Sequence, residues 1–157
     1  MAWVTSTAIA RSGATAKVLV APPLSPISSW TDAIAVDVTH ATDAPGMKEQ
    51  QLGSHPLGSG PSIGRGSTLS PKVFELLCET AERLEIDYTV EASGRRTGTD
   101  ADAIQISKGG VPAGVVGIPL RYMHSPVEMV DLGDLEAVVE LIAGFAESLQ
   151  TDVDLAR

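Results

Sequence analysis

The strongest constraint on this chain is the regular exchange of short apolar runs and helix-period segments after Thr31. "AIAVDV" (33–38) combines small and β-branched residues, the composition of a buried strand. Ser70 followed by Pro71 marks a helix start, and Phe74, Leu77, Cys78, Ala81 and Leu84 recur behind it at helical spacing. "IDYTVEA" (86–92) alternates like a strand. Thr99 or Asp100 opens a second helix that carries Ala103, Ile104 and Ile106 and stops at Gly109-Gly110. "VPAGVVGIPL" (111–120) is another apolar strand. A last helix from Asp131 or Asp134 to Leu149 sets Leu135, Val138, Val139, Ile142 and Phe145 on its inner face. Strands alternating with helices predict an α/β fold with a mostly parallel central sheet flanked by helices. The Gly- and Pro-dense stretch 45–67 reads as loop.

The 157 residues suffice for one domain with a real core. The formal net charge of −9 gives no support to nucleic acid or an anionic membrane as a partner. No apolar stretch reaches the roughly 18 residues that a membrane span needs. One cysteine, Cys78, leaves no internal disulfide and fits a reducing, cytoplasmic setting. The charge is uneven. Residues 1–31 hold Arg11 and Lys17 and no acid, so all 20 Asp and Glu face nine Lys and Arg beyond them. The sequence therefore divides into an atypical leader, residues 1–30, and a coherent domain, 31–157. The leader's composition admits a transit peptide, a shifted reading frame, a segment introduced by cloning or plain divergence.

In open α/β sheets the ligand crevice lies beyond the carboxyl ends of the strands. Asp37 ends one predicted strand and His124 follows another, so a carboxylate and an imidazole meet the same rim and could share a metal. The plainer alternatives are a turn-forming Asp and a hydrogen-bonded structural His. Ser125-Pro126-Val127-Glu128 matches a capping box, which would open a helix and hold His124 in a fixed orientation.

"AIAVDVTHATDAPG" (33–46), the "LGSGPSIGRGS" loop and "SGRRTGTDADAIQISKGGVPAGVVGIPLRYMHSPVEMVDLGDLEAVVELI" (93–142) resemble one family. It is that of the glutamyl, deblocking and tetrahedral metallo-aminopeptidases, some of them labelled cellulases or endoglucanases. The likeness covers residues 31–150 and corresponds to the closing portion of the catalytic domain, a truncated zinc-peptidase fold. It implies a peptidase with two divalent ions, zinc or cobalt, that removes amino-terminal residues from peptides and forms homo-oligomers. By motif, Asp37 would be a terminal ligand of one ion and His124 of the other. The Gly98-Thr99-Asp100 stretch would help wall the substrate pocket, with Arg121 and Tyr122 shaping the rim behind the ligands.

The departures from that pattern are as informative. The family's earlier half supplies a His-x-Asp, a bridging aspartate and a Glu-Glu pair, and this chain has neither His-x-Asp nor Glu-Glu. His40 and His55 do not stand in the missing pattern. One ligand per ion is too few for tight binding. The chain by itself is therefore expected to be inactive, with a non-catalytic α/β remnant or interaction module as the alternative. Polysaccharide hydrolysis finds no motif marking a catalytic carboxyl pair. A core face that met an absent half would be left as an apolar patch, so self-association is also expected.

Overall fold

The computed structural model describes residues 7–11, 32–107, 109–149 and 155. Most of the expected leader lies outside the described residues. Its residues Thr7–Arg11 nevertheless form a strand, β1, antiparallel to β2 (Asp32–His40), with Thr7 opposite Val36. β2 is the predicted 33–38 strand extended at both ends. It runs parallel to β5 (Ala113–Arg121), with Asp37 opposite Gly117. β5 is antiparallel to β3 (Ser62–Gly66), and β3 is parallel to β4 (Thr89–Ser93). The strand order is β1-β2-β5-β3-β4, and β6 (Met129–Val130) folds back antiparallel on the end of β5.

The α/β architecture agrees with expectation, but the sheet is mixed rather than mostly parallel. The crossover helix between β3 and β4 makes that pair parallel. Crossover logic says nothing about β3 and β5, which are not consecutive, and those two run in opposite directions.

Two elements lie inside the stretch expected to be loop. α1 (Glu49–Leu52) is a single turn. β3 escaped the pattern because Ile63 is its one large apolar side chain, in a strand that also holds Gly64 and Gly66. Gly64 fits closely there, since an added Cβ would stand 3.0 Å from both Leu69 and Val115 side chains.

α2 (Pro71–Arg83) begins as predicted. The Ser70 side chain accepts from the Val73 amide at 3.4 Å, and Val73, Leu77, Thr80 and Ala81 are its buried residues. The Ser70 hydroxyl also donates to the Leu155 carbonyl at 3.1 Å, tying that residue to the helix start. The second predicted helix is one turn, α3 (Ala101–Ile104). Ala101 and Ile104 alone face the core, whereas Ile106 is 73% exposed. α4 (Leu132–Ser148) starts where Asp131 accepts from the Gly133 amide at 2.7 Å. Val138, Ile142 and Phe145 point inward as expected, joined by Leu141. Leu135 and Val139 face outward instead, 40% and 63% exposed. α4 is apolar on more than one side, so helical periodicity alone does not say which stripe meets the sheet. No helix among the described residues is long and apolar enough to cross a membrane.

Strand alternation then divides the sheet's two faces. Ile34, Ile63 and Val116 pack with Val73, Leu77, Leu141 and Phe145 beneath α2 and α4. Ala33, Ala35, Ala113 and Val115 pack with Leu69, Ala101 and Ile104 under α3. The odd-numbered series of β2 continues on that second face into Asp37 and Thr39. Because α3 is so short, the polar end of this face is left open.

The connection from β2 to β3 is pinned by two buried polar side chains. His55 is 1% exposed; its amide donates to the Thr42 hydroxyl at 2.8 Å, and the Thr42 amide donates to the His55 carbonyl at 3.1 Å. Its Nε2 lies 3.0 Å from the Leu52 carbonyl and its Nδ1 2.7 Å from the Thr89 hydroxyl. A carbonyl only accepts, so Nε2 carries the proton and, in the neutral ring, Nδ1 accepts from Thr89. The other pin is Asp134, 2% exposed in the first turn of α4, which accepts from the Gly58 amide at 2.8 Å and the Gly60 amide at 2.7 Å.

Candidate active-site rim

Asp37 is half-buried on the α3 face of β2, and its Oδ1 accepts from the Val38 amide at 2.8 Å. Burial pushes its carboxyl above the ordinary value, against the pull of the Val38 amide. The charge of Asp100 raises it further and that of His124 lowers it. Asp100 and His124 are thus close enough to Asp37 for their charges to act there. The three residues, drawn from β2, the loop before α3 and the turn after β5, share one electrostatic neighbourhood.

His124 does not precede a helix. Its own amide donates to Glu128 Oε1 at 2.7 Å, while the Ser125 hydroxyl accepts from Val127 at 3.3 Å. The expected capping box, which joins Ser125 and Glu128 to each other, is not formed. The chain instead reverses so that Met129 and Val130 can pair with Arg121 and Leu120. This tight reversal puts Tyr122 at φ 59 and His124 at φ 65, in the left-handed region. Non-glycine residues there cost about 1–3 kcal/mol each and cluster at functional sites.

Gly98, Thr99 and Asp100 lie in a loop whose form is dictated by Asp102, a residue that sequence reasoning passed over. The Asp102 carboxylate accepts from the Thr97 amide, the Thr97 hydroxyl and the Gly98 amide, each at 3.0 Å. Burial alone would raise its carboxyl, but the Thr97 and Gly98 amides and the Thr97 hydroxyl hold it below the ordinary value. Gly98 is needed at φ 74. Thr99 shares a 2.9 Å hydroxyl contact with Thr97.

Asp37 and Thr99 line one small pocket together with Thr39, Glu91, Ser93 and Thr97. Its volume of about 30 Å³ is room for a water or a single ion. The pocket exists because Gly64 and Gly117 carry no side chains on this face; a Cβ on Gly117 would sit 3.2 Å from Thr39. Glu91, which accepts from the Ser62 hydroxyl at 3.2 Å, is the second carboxylate of the lining and was also missed. The signal was present: alternation along β4 sets Glu91 on the same face as Thr89 and Ser93, where a charge is unusual. Gly98 and Asp100 border the site without entering the lining.

Arg121 and Tyr122 do different things at the rim. Tyr122 is 44% exposed. Arg121 donates through Nε to Asp43 Oδ1 at 3.1 Å and through Nη2 to Asp43 Oδ2, clamping the turn after β2 to the end of β5. The Arg121 guanidinium holds the Asp43 carboxyl below its ordinary value of 3.8. A depressed carboxylate stabilises the fold above its unfolded pKa and loses that contribution as pH falls through the folded one. Asp43→Asn is therefore expected to cost about 0.5–1 kcal/mol near neutrality, the pair being partly exposed. The difference from the parent should shrink progressively as pH falls below about 4. Urea unfolding at pH 7 and pH 3 checks this, and an unchanged difference at pH 3 would contradict it.

Among the described residues no group of three or more His, Cys, Asp or Glu is placed to hold a metal ion. Asp37 lines the small pocket, and His124 does not belong to its lining.

The sequence model of the M42 glutamyl aminopeptidases matches residues 25–141, which include Asp37, the 98–100 loop and His124. The chain belongs to the M42 glutamyl aminopeptidase family. The lysyl aminopeptidase of Pyrococcus furiosus is 40% identical over 117 residues, covering 74% of this chain and 33% of that protein. The aminopeptidase APDkam598 of the archaeon Desulfurococcus kamchatkensis superposes with a TM-score of 0.70 at 40% identity, covering 80% of this chain and 36% of the other. The TET1 peptidase of Pyrococcus horikoshii, which can assemble into a tetrahedron or a large octahedral shell, superposes with a TM-score of 0.60 at 26% identity. That overlap covers 78% of this chain and 36% of the other. The chain thus spans about a third of the length of the M42 relatives it matches.

Proposed function

We propose that this chain is the carboxyl-terminal portion of a two-metal aminopeptidase catalytic domain, residues 31–157, and that Asp37 and His124 are one ligand each to two divalent ions. M42 membership supports the peptidase class. The observation that carries the assignment is the family match over residues 25–141, which spans Asp37, the 98–100 loop and His124. The charges of Asp100 and His124 felt at the half-buried Asp37 support it. Such ions, zinc or cobalt, would supply Lewis acidity for peptide hydrolysis when bound. Asp37 suits a ligand because the Val38 amide ties Oδ1 and fixes the direction of Oδ2. The left-handed turn and the Glu128 contact do the same for the His124 backbone. Thr99, Glu91 and Thr97 offer hydroxyl and carboxylate groups to the amino end of a peptide. Arg121 keeps the rim in place through Asp43.

The residues present fit only half of such a centre. Tetrahedral zinc takes four donors, and the sequence contains no His-x-Asp or Glu-Glu that would supply the others or the base. Further donors have to come from outside residues 32–149. The chain as given is expected neither to release nitroaniline from aminoacyl nitroanilides nor to retain stoichiometric zinc. Elemental analysis and an aminopeptidase assay on one sample test both. Release with added zinc or cobalt that disappears in Asp37→Ala and His124→Ala would overturn the half-centre reading and leave the family reading intact. The second reading, a non-catalytic α/β module, rests on the same missing base. The assembling TET1 relative supports a homo-oligomer, and the single cysteine suits a cytoplasmic setting.

A further inference from the structure

We propose that the outward face of α4 docks an amphipathic helix of another polypeptide whose apolar ridge is flanked by lysines or arginines. A helix anchored on a sheet through one stripe ordinarily presents polar residues on its outer side. α4 does not. Its inner stripe, Val138, Leu141, Ile142 and Phe145, is buried, yet Leu132, Leu135 and Val139 are 70%, 40% and 63% exposed on a second stripe. These three stand at i, i+3 and i+7, and Ala143 continues the line as an exposed residue. That is the spacing with which one helix meets another along a seam. Val127, Met129 and Val130, also exposed, extend the apolar surface along the segment entering α4. Single exposed apolar residues are ordinary, but a row of them is a contact surface.

Charge decides the occupant. From Tyr122 to Ala156 the sequence has no lysine or arginine, while Glu128, Asp131, Glu136, Glu140 and Glu147 are exposed around the stripe. Among the described residues Arg83 reaches α4, donating to the Gly144 carbonyl at 3.2 Å on the α2 side. An acidic rim repels an anionic bilayer. It also works against a second copy docked face to face, because a twofold seam would bring Glu136 and Glu140 against the same residues. A helix with basic flanks satisfies both the stripe and the rim. The inference does not depend on the metal centre, and assembly of copies through other surfaces is compatible with it.

The test uses the full chain and two synthetic helical peptides with the same leucine heptads, one flanked by lysines and the other by glutamates. Fluorescence anisotropy should show binding of the lysine peptide, weaker at high salt, and at least about tenfold weaker binding of the glutamate peptide. Val139→Asp, at an exposed position, should reduce binding at least about tenfold with an unchanged unfolding midpoint. Glu136→Lys with Glu140→Lys should shift preference toward the glutamate peptide. Equal binding of both peptides, or no binding of the lysine peptide, overturns the proposal. So does a dimer of the chain alone, seen by sedimentation and abolished by Val139→Asp, since the occupant would then be a second copy.

Discussion

Asp134→Ala is expected to remove about 3 kcal/mol of unfolding free energy, a large share of the roughly 5–15 kcal/mol that holds a domain of this size. The carboxylate is 2% exposed and accepts from two backbone amides, Gly58 and Gly60. Deleting it orphans the buried Gly60 amide, at about 1–3 kcal/mol, and gives up the charged partner of the Gly58 amide, which stands on an exposed residue and passes to water at a smaller cost. The first turn of α4 adds to the effect, because the positive end of the helix dipole favours a negative charge there. Asp134→Asn should fall between parent and alanine, since its amide nitrogen would face one of the two N–H groups. Urea unfolding at pH 7 measures both variants. A loss below about 1 kcal/mol for alanine would mean that water takes over the carboxylate's role and that the pin is dispensable.

The elements that were legible in advance are those whose cause is local. Ser70 and Pro71 announce α2 because capping joins residues only two or three apart, and Asp131 announces α4 for the same reason. β2 and β5 could be read because strands buried on both faces need continuous small and branched side chains. What escaped depends on partners distant in sequence. β3 is a strand because β4 and β5 flank it, although Gly64 and Gly66 mark it as loop. The reversal around His124 follows from the pairing of β6 with β5, and local capping signals lost to that pairing. Asp134 looks like any acid near a helix start until Gly58 and Gly60 arrive from 76 and 74 residues away.

The candidate rim divides in the same way. Asp37 and His124 were both read as following strand ends. His124 does follow β5, whereas Asp37 lies inside β2, three residues before the strand ends at His40, and meets the pocket through the strand's alternation. The loop at 98–100 was legible as a segment, but its shape comes from Asp102 and Thr97. Glu91 was hidden by its setting in an otherwise ordinary edge strand, and only the parallel register with Gly64 brings it to the pocket of Asp37. A charged residue on the inward side of an alternating strand is the signal to look for.

Glycine at position 60 is expected to be nearly irreplaceable, and its neighbour at 58 provides the control. Both have positive φ, +77 and +80. A Cβ at Gly60 would lie 1.8 Å from the Asp87 carbonyl oxygen, whereas one at Gly58 meets nothing within 4 Å. Gly58→Ala should therefore cost only the left-handed conformation, about 1–2 kcal/mol. Gly60→Ala must also push apart two stretches of backbone, neither able to yield as a flexible side chain would, and should cost about 3 kcal/mol or more. That displacement carries the Gly60 amide away from Asp134, so the two sites act on one contact and their effects should not add. The double variant Gly60→Ala with Asp134→Ala should fall short of the summed single losses by about 1 kcal/mol or more. Additive losses in denaturant unfolding would show that the clash and the pin are separate, with the 58–60 loop held by Asp134 through Gly58 alone.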